Sequence, residues 1–162
     1  MEPSVDPHFR ALYEREFDAV VRAAYLLCGD AHLAQDASQE AFARALARWR
    51  RLQHHPSPGG WVTTTALNVV RRSLRRRPAE VPAEGVAIAA DLDDRLAVRA
   101  AVRSLPRRQQ EAVVLHYLLD LPVAETAAAM GVDAGTVKTH LSRARGSIAR
   151  LLRDDDPEEL PR

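Results

Sequence analysis

The chain has 162 residues, a formal net charge of +1, 46% apolar residues and only 5% aromatic residues. A chain of this length can bury a core as one domain or as two small ones. Its single cysteine, Cys28, excludes an internal disulfide, and no group of His and Cys residues has zinc-site spacing, so we expect neither a metal nor a cofactor.

The charge is distributed unevenly along the chain. Residues 1–77 contain 12 Lys and Arg against 8 Asp and Glu, and residues 95–153 contain 10 against 4. The segment 78–94 has 5 acidic residues and no cation, and residues 154–162 have 5 acidic residues against one Arg. Two basic regions around an acidic connector suit a polyanionic partner, although any helical domain has a few units of charge.

The hydropathy pattern bears on where in the cell the protein is located. No apolar run approaches the length that spans a membrane, and the N-terminal sequence MEPSVDPHF lacks the charged start and apolar core of a signal peptide. We therefore expect a cytoplasmic protein with no membrane partner.

The periodicity of the N-terminal half predicts helices. Because Val, Ile and Thr do not alternate over any long stretch, we expect an all-α fold. Residues 1–8 are expected to be disordered. Apolar residues at steps of three and four then predict helices over 9–28, 32–52 and 61–77, with a turn-rich loop over 53–60.

Two polar features stand out on these predicted helices. On the second helix, an exposed ridge recurs at steps of three and four residues, although such a ridge is usually only a solvated face. The third helix ends in RRSLRRR over 71–77, and five arginines in seven residues need anionic partners such as nucleic-acid phosphate. The ridge consists of Asp36, Gln39, Glu40 and Arg44.

The segment 78–94 divides the chain. It has two prolines, a glycine and no helical period, and therefore predicts a flexible linker. Two small helical domains are expected on either side of it, over 9–77 and 95–152. The last residues, 153–162, form an acidic tail that we expect to be disordered.

The run 105–152 has the pattern of a helix-turn-helix. Its first helix begins near Pro122, which an opening turn tolerates, and stops at Gly131, which suits a left-handed backbone. Asp133 can accept from the free amides of the next turn, so the second helix is predicted to start there.

The second helix of this motif has the side chains of a DNA reader. Val137, Leu141, Ile148 and Leu151 are predicted to face the core. An isolated basic helix would be an ordinary solvated one, but the preceding helix and the glycine turn favour DNA binding. Arg and Lys suit guanine edges and phosphates, and Ser and Thr suit either. The outward residues are Lys138, Thr139, His140, Ser142, Arg143 and Arg145.

Three stretches together resemble a known family. DASQEAFARALARW resembles the polymerase-binding helix of sigma region two, and WVTTTALNVVRRSLRRR resembles the promoter-melting helix that follows it. LPRRQQEAVVLHYLLDLPVAETAAAMGVDAGTVKTHLSRAR is similar, nearly end to end, to sigma region four. The chain therefore resembles the extracytoplasmic-function (group 4) RNA polymerase sigma factors, and actinobacterial members in particular.

This resemblance implies partners and residue roles. Core RNA polymerase would be bound by the ridge of Asp36, Gln39, Glu40 and Arg44, which would dock on the clamp coiled coil of the largest subunit, and by the C-terminal domain at the flap. Promoter DNA and an anti-sigma factor are the other implied partners. The implied minus-ten DNA residues are His54, His55, Thr64, Thr65, Asn68, Arg71, Arg72, Arg75, Arg76 and Arg77. The implied minus-thirty-five residues are Thr136, Lys138, Thr139, His140, Ser142, Arg143 and Arg145.

The resemblance leads to one functional hypothesis and one alternative. The hypothesis is a sigma factor that directs core polymerase to two-part promoters and assists DNA melting. The alternative is a stand-alone helix-turn-helix repressor or activator. An enzyme is not expected, because the sequence has no nucleophile, acid-base pair, phosphate-binding loop or metal set. Trp61 is expected to anchor the core rather than to stack on a base.

Overall fold

The computed structural model describes residues 5–76 and 92–154, which fold into helices without a β-strand. This confirms the all-α prediction. Among these residues, no helix is both long and apolar enough to cross a membrane. The helices are α1 (Pro7–Cys28), α2 (Ala31–Ala47), α3 (Trp49–Leu52), α4 (Pro58–Arg76), α5 (Leu92–Ser104), α6 (Arg107–Val113), α7 (Val123–Met130) and α8 (Ala134–Asp154). A π-helical turn, Val114–Leu118, continues α6.

Helices α1 to α4 form the N-lobe, in which α1, α2 and α4 pack against one another. Its core contains a cluster of aromatic and aliphatic side chains, including Phe9, Phe42 and Trp49. The rings of Phe9 and Trp49 meet edge to face, with their centroids 5.4 Å apart. Aromatic rings bury more apolar area than most other side chains, so this cluster contributes strongly to the stability of the lobe.

The N-lobe differs from the sequence prediction at three helix ends. Helix α1 begins at Pro7, inside the segment expected to be disordered, because Asp6 accepts from the amide of His8 at 2.8 Å and caps it. The predicted helix 32–52 is broken at Arg48, whose backbone (φ −112°, ψ 11°) leaves the helical region. Helix α4 begins at Pro58 rather than at Trp61.

Helices α5 to α8 form the C-lobe, and α7, Gly131 and α8 make the predicted helix-turn-helix. Gly131 has φ 66° and ends α7, and Asp133 precedes α8, as the sequence predicted. Val137 and Leu141 are buried and Ile148 packs at the edge of the core. The prediction for Leu151 is wrong: it is 38% exposed, because the last turns of α8 extend beyond the core cluster.

The two lobes pack against each other in the described chain. Helix α4 contacts α7, and α1 contacts α5. Val114 of the C-lobe is fully buried in a cluster made mostly of N-lobe residues, and Leu26 of α1 packs against the cores of both lobes. A continuous apolar core therefore joins the two helical units.

Several predictions fall at the limits of the described residues. Helix α5 begins at Leu92, so residues 92–94 of the predicted linker are helical. Arg153 and Asp154 likewise belong to α8 rather than to the predicted tail. The rest of the linker with Arg77, the first four residues and the tail from 155 onwards lie outside the described residues.

Candidate protein and nucleic-acid interfaces

The polar ridge of α2 faces solvent. Asp36, Gln39 and Glu40 are exposed, whereas Ala37 and Ala41 of the same helix are buried against the N-lobe core. The carboxylate of Glu40 pairs with the half-buried guanidinium of Arg44 one turn later. Because an exposed ion pair of this kind adds little to stability, the ridge is a surface that can bind a partner without loss of the fold.

A groove of about 810 Å³ lies where α2 ends and α4 begins. His54 is exposed at its edge, and the half-buried His55 accepts from the amide of Ser57 at 2.9 Å through Nδ1. Trp61 also lines the groove while packing against the core, so it is both the predicted anchor and a surface ring. The guanidinium carbon of Arg48 is 6.0 Å from the centroid of its ring.

One polar atom in the lining of this groove was not expected from the sequence. The Nε1 atom of Trp49 is buried and has no hydrogen-bond partner. An indole N–H without an acceptor is costly, so this buried donor is an unusual feature of the core next to the groove. Only the tertiary structure reveals this donor, because the spacing of Trp49 in the sequence predicts a core residue.

The two threonines predicted to meet minus-ten DNA are half-buried on α4. Thr65 donates to the carbonyl of Trp61 at 2.8 Å, so its hydroxyl is bound to the helix itself. The hydroxyl oxygen of Thr64 is buried and has no hydrogen-bond partner.

Asn68 and Arg71 of α4 are engaged by the C-lobe. Nη1 of Arg71 donates to Oε1 of Glu111 at 3.0 Å, and Nη2 donates to Oε1 of Gln110 at 3.1 Å. Oδ1 of Asn68 accepts from Nη2 of Arg107 at 2.6 Å and from Nη1 of Arg71 at 3.2 Å. These two minus-ten candidates are therefore bound within the chain in this arrangement.

Glu111 is the centre of this interlobe network. Its side chain is 0% exposed, and it also accepts from Nε of Arg107 at 3.3 Å and from Nη1 of Arg108 at 3.0 Å. Burial lowers the pKa of Arg71, and the neighbouring Glu111 carboxylate opposes that shift. The spacing of Arg107 and Glu111 predicts an ordinary helical ion pair, so sequence alone did not indicate that Glu111 also holds another lobe.

The remaining arginines of α4 are exposed. Nε of Arg72 donates to the carbonyl of Asn68 at 3.4 Å, and Arg75 and Arg76 lie in the last turn. Arg75 also lines a second groove of about 290 Å³ between the lobes, together with Arg71, Arg103 and Arg107. The basic end of α4 is thus divided between a solvated side and a side that faces the C-lobe.

The outward side of α8 is more restricted than predicted. Lys138, Thr139, Ser142 and Arg143 are exposed. His140 is only half exposed, and its Nδ1 atom is buried without a partner, which differs from the predicted outward position.

Two further members of the predicted DNA-reading set are held by neighbours. Both the amide and the hydroxyl of Thr136 donate to the carboxylate of Asp133, at 2.8 Å and 2.9 Å. Nη1 of Arg145 donates to the hydroxyl of Tyr117 at 2.8 Å. The other members of the set are exposed, and no hydrogen bond to another element is found for them in the described chain: Lys138, Thr139, Ser142 and Arg143. All four lie in the first three turns of α8.

Comparison with known proteins identifies both lobes. A family model described as Sigma-70 region 2 matches residues 12–79, and one described as Sigma-70, region 4 matches residues 95–148. The ECF RNA polymerase sigma factor BldN of Streptomyces coelicolor is 34% identical, over 91% of this chain and 61% of BldN. The ECF RNA polymerase sigma factor SigM of Mycobacterium tuberculosis is 32% identical, over 89% of this chain and 76% of SigM.

The chain belongs to the ECF RNA polymerase sigma factors. Among solved structures, the sigma factor RpoE of Bartonella quintana, in complex with the anti-sigma factor NepR, superposes with a TM-score of 0.70 at 26% identity. That superposition covers 93% of this chain and 99% of the matched chain. The arrangement of both lobes in this sigma factor is therefore similar to that of a sigma factor in complex with an anti-sigma factor.

Proposed function

We propose that this sigma factor binds core RNA polymerase in the cytoplasm, directs it to two-part promoters and assists DNA opening through binding energy alone. The observation that supports this best is the presence, in one chain, of an exposed polar ridge on α2 and an exposed basic face on α8. A stand-alone DNA-binding repressor needs only the second of these surfaces. The chain spans 61% of BldN and 76% of SigM.

The ridge is assigned to the polymerase. Asp36, Gln39 and Glu40 would contact the clamp coiled coil of the largest subunit, with Arg44 orienting the carboxylate of Glu40. The C-lobe would contact the flap.

The groove beside α3 is assigned to an unpaired minus-ten base. It has the volume of a small-molecule site, and it combines the ring of Trp61 with the imidazoles of His54 and His55. The helix beyond it would hold the DNA through Thr64, Thr65, Asn68, Arg71, Arg72, Arg75 and Arg76. Asn68 and Arg71 can do so only after they leave their present partners in the C-lobe.

Helix α8 is assigned to the minus-thirty-five element. Lys138, Ser142 and Arg143 lie on its exposed side and suit guanine edges and phosphates. Thr139 would join them. Thr136 and Arg145 remain in the assignment as residues that reach the duplex only if their present contacts change. His140 remains in it as a residue whose half-buried ring must turn outward.

An anti-sigma factor is proposed as a regulatory partner. The support is the similarity to RpoE, whose known complex contains the anti-sigma factor NepR, over nearly the whole chain. A partner that binds both lobes in this compact arrangement would prevent their separation on the polymerase.

The ridge provides the decisive test. Replacing Asp36, Gln39 and Glu40 together with Ala should weaken binding to purified core polymerase at least about tenfold, equivalent to about 1.4 kcal/mol. A matched control replaces the exposed acids Glu14 and Asp18 of α1 with Ala, which removes the same negative charge away from the ridge. Equal polymerase binding by the wild type and the triple variant, with normal helicity, would support the repressor instead.

A further inference from the structure

The groove of about 290 Å³ between the lobes has a positively charged lining. Half of its eight lining residues are arginines, two from each lobe, and none of the eight is acidic. Three leucines and one glutamine complete the lining. The eight residues are Leu27, Arg71, Leu74, Arg75, Arg103, Leu105, Arg107 and Gln110.

The four arginines differ in how they are neutralised. Arg71 and Arg107 both donate to the carboxylate of Glu111, whose side chain is 0% exposed. Arg75 and Arg103 are exposed, and neither an ion pair nor a hydrogen bond is found for their side chains among the described residues. The groove therefore presents two guanidinium groups that are free to bind an anion.

The charge around the groove is not balanced. Arg108 also donates to Glu111, so five guanidinium groups are gathered around one carboxylate. Burial lowers the pKa of Arg71 most, and the positive charges of Arg107 and Arg108 lower it further. An anion with more than one negative charge would offset this repulsion.

The two free arginines have a simpler role that does not account for the groove. Arg75 lies in the last turn of α4 and Arg103 in the last turn of α5, where a cation is favoured by the helix dipole. That role explains an arginine at each helix end. It does not require the ends of two helices from different lobes to meet at one groove.

We propose that this groove binds a small polyphosphate, with two linked phosphate groups held by Arg75 and Arg103. A guanidinium donates two parallel hydrogen bonds to phosphate oxygens, which makes arginine well suited to this class of ligand. The volume lies near the lower end for small-molecule sites, so it fits a compact anion. Arg103 has no part in polymerase or promoter binding as proposed above, so this site is an additional one.

The apolar part of the lining supports a small ligand. Leu27 and Leu105 are buried, and Leu74 is half-buried beside them. Apolar walls lower the local dielectric constant and strengthen the attraction between a guanidinium and a phosphate. Single-stranded DNA is the other polyanion to consider, but a strand along α4 has the exposed Arg72 and Arg76 and does not need Arg103 of the other lobe.

Isothermal titration calorimetry of the full chain with pyrophosphate tests the site. In magnesium-free buffer at constant ionic strength, we expect one site per chain with a Kd of about 0.1–1 mM. Orthophosphate should bind at least about tenfold more weakly, because linking two phosphates makes the second contact intramolecular. The absence of saturable pyrophosphate binding up to about 10 mM overturns the proposal.

Two variants and a matched control locate the ligand. Arg103→Gln and Arg75→Gln should each lower the pyrophosphate affinity about tenfold, to the level of orthophosphate. The control is Arg10→Gln, which removes an exposed cation 17 residues before Leu27, or about 25 Å away along α1. It should bind within about twofold of the wild type. Circular dichroism checks the helicity of all variants, and an equal loss in all three overturns the proposal.

A nucleoside triphosphate distinguishes two sources of linked phosphates. Tighter binding of the nucleotide than of pyrophosphate assigns the groove to a nucleotide whose base packs on the leucines. Equal binding of the two assigns it to the polyphosphate alone. Both results support the site, provided that Arg103→Gln weakens them.

Two other occupants give results that overturn the proposal. The first is DNA: Arg103→Gln would weaken binding of a mixed-sequence single strand of about 16 nucleotides while pyrophosphate fails to bind the wild type. The second is the acidic segment 78–91 of this chain, which follows α4 in the sequence. Pyrophosphate would then bind only after Glu80 and Glu84 are replaced with Gln.

Discussion

At the residue scale, Asp133 shows how one side chain sets the start of the DNA-reading helix. Its carboxylate accepts from both the amide and the hydroxyl of Thr136. These hydrogen bonds lower the pKa of Asp133 below its usual value, because they favour the charged form. Asp133 therefore orders the first turn of α8, next to the exposed Lys138 and Thr139.

We predict a pH-dependent loss of stability when this carboxylate is removed. Because the pKa is lowered in the folded state, the stabilisation is present above the unfolded value near 3.8 and is lost as the pH falls through the folded value. Asp133→Ala should lower the melting temperature at pH 7, and the difference from the wild type should shrink below about pH 4. Asp133→Asn is the control, since its amide oxygen can still cap α8 without a charge. Equal melting temperatures of wild type and Asp133→Ala at pH 7 would contradict this role.

At the element scale, two glycines have opposite effects on the helix-turn-helix. Gly131 has φ 66°, a backbone conformation that L side chains rarely adopt, and it allows the chain to turn between α7 and α8. Gly146 lies within α8, and a Cβ atom there would meet nothing within 4 Å. The first glycine is required by the turn, whereas the second only adds backbone freedom to a helix.

Alanine at these two positions should therefore change stability in opposite directions. Gly131→Ala should lower the free energy of unfolding by about 1–2 kcal/mol, because the left-handed conformation strains a Cβ atom. Gly146→Ala should raise it by roughly 0.5–1 kcal/mol, because it reduces the freedom of the unfolded chain. Urea denaturation followed by circular dichroism measures both. A stabilised Gly131→Ala protein would show that the turn does not need a left-handed residue.

Helix boundaries also show where local sequence signals are insufficient. The periodicity of 32–52 continues across Arg48, and nothing in that pattern indicates the break between α2 and α3. Helix α4 starts early because the hydroxyl of Ser57 accepts from the amide of Gly60 at 3.3 Å. The close approach of α4 to α7 also requires Gly60, since a Cβ atom there would lie 2.6 Å from Cβ of Ala129.

At the scale of the whole molecule, the lobes share a core as well as a polar network. Val114 belongs by sequence to the C-lobe, yet it is fully buried in a cluster with Leu27, Leu67 and Val70 of the N-lobe. We therefore expect the folding of one lobe to depend on the presence of the other. Separation of the lobes on a polymerase must expose this apolar contact, so a partner that separates them has to offset that cost.

This coupling predicts that a C-lobe substitution affects an N-lobe signal. Both tryptophans, Trp49 and Trp61, lie in the N-lobe, so fluorescence reports that lobe alone. Val114→Ala should lower the urea midpoint of the fluorescence transition, with a cost of about 1–3 kcal/mol. Val137→Ala, in the core cluster of the C-lobe, provides the comparison. A fluorescence transition unchanged by Val114→Ala would indicate that the lobes fold independently.

Much of the fold and part of the candidate site follow from local patterns. The turn at Gly131 and the start of α8 after Asp133 were predicted correctly, because each depends on contacts within a few residues. The exposed ridge on α2 follows from the helical repeat in the same way. Three features could not be predicted, because each depends on segments that are distant in the sequence. They are the interlobe ion pair of Glu111, the unpaired Nε1 atom of Trp49 and the hydrogen bond from Arg145 to Tyr117.

The sequence by itself determined the helical character, the order of the two sigma regions and the kinds of side chain that could meet DNA. Only the tertiary structure decided which of those side chains are free. Arg71 and Arg72 are adjacent and identical in type, yet Arg71 is bound to Glu111 and Arg72 is exposed. The physical reason is that successive side chains of a helix point about 100° apart, so two neighbouring residues face different sides of the helix. What lies on each side is decided by the packing of the other helices.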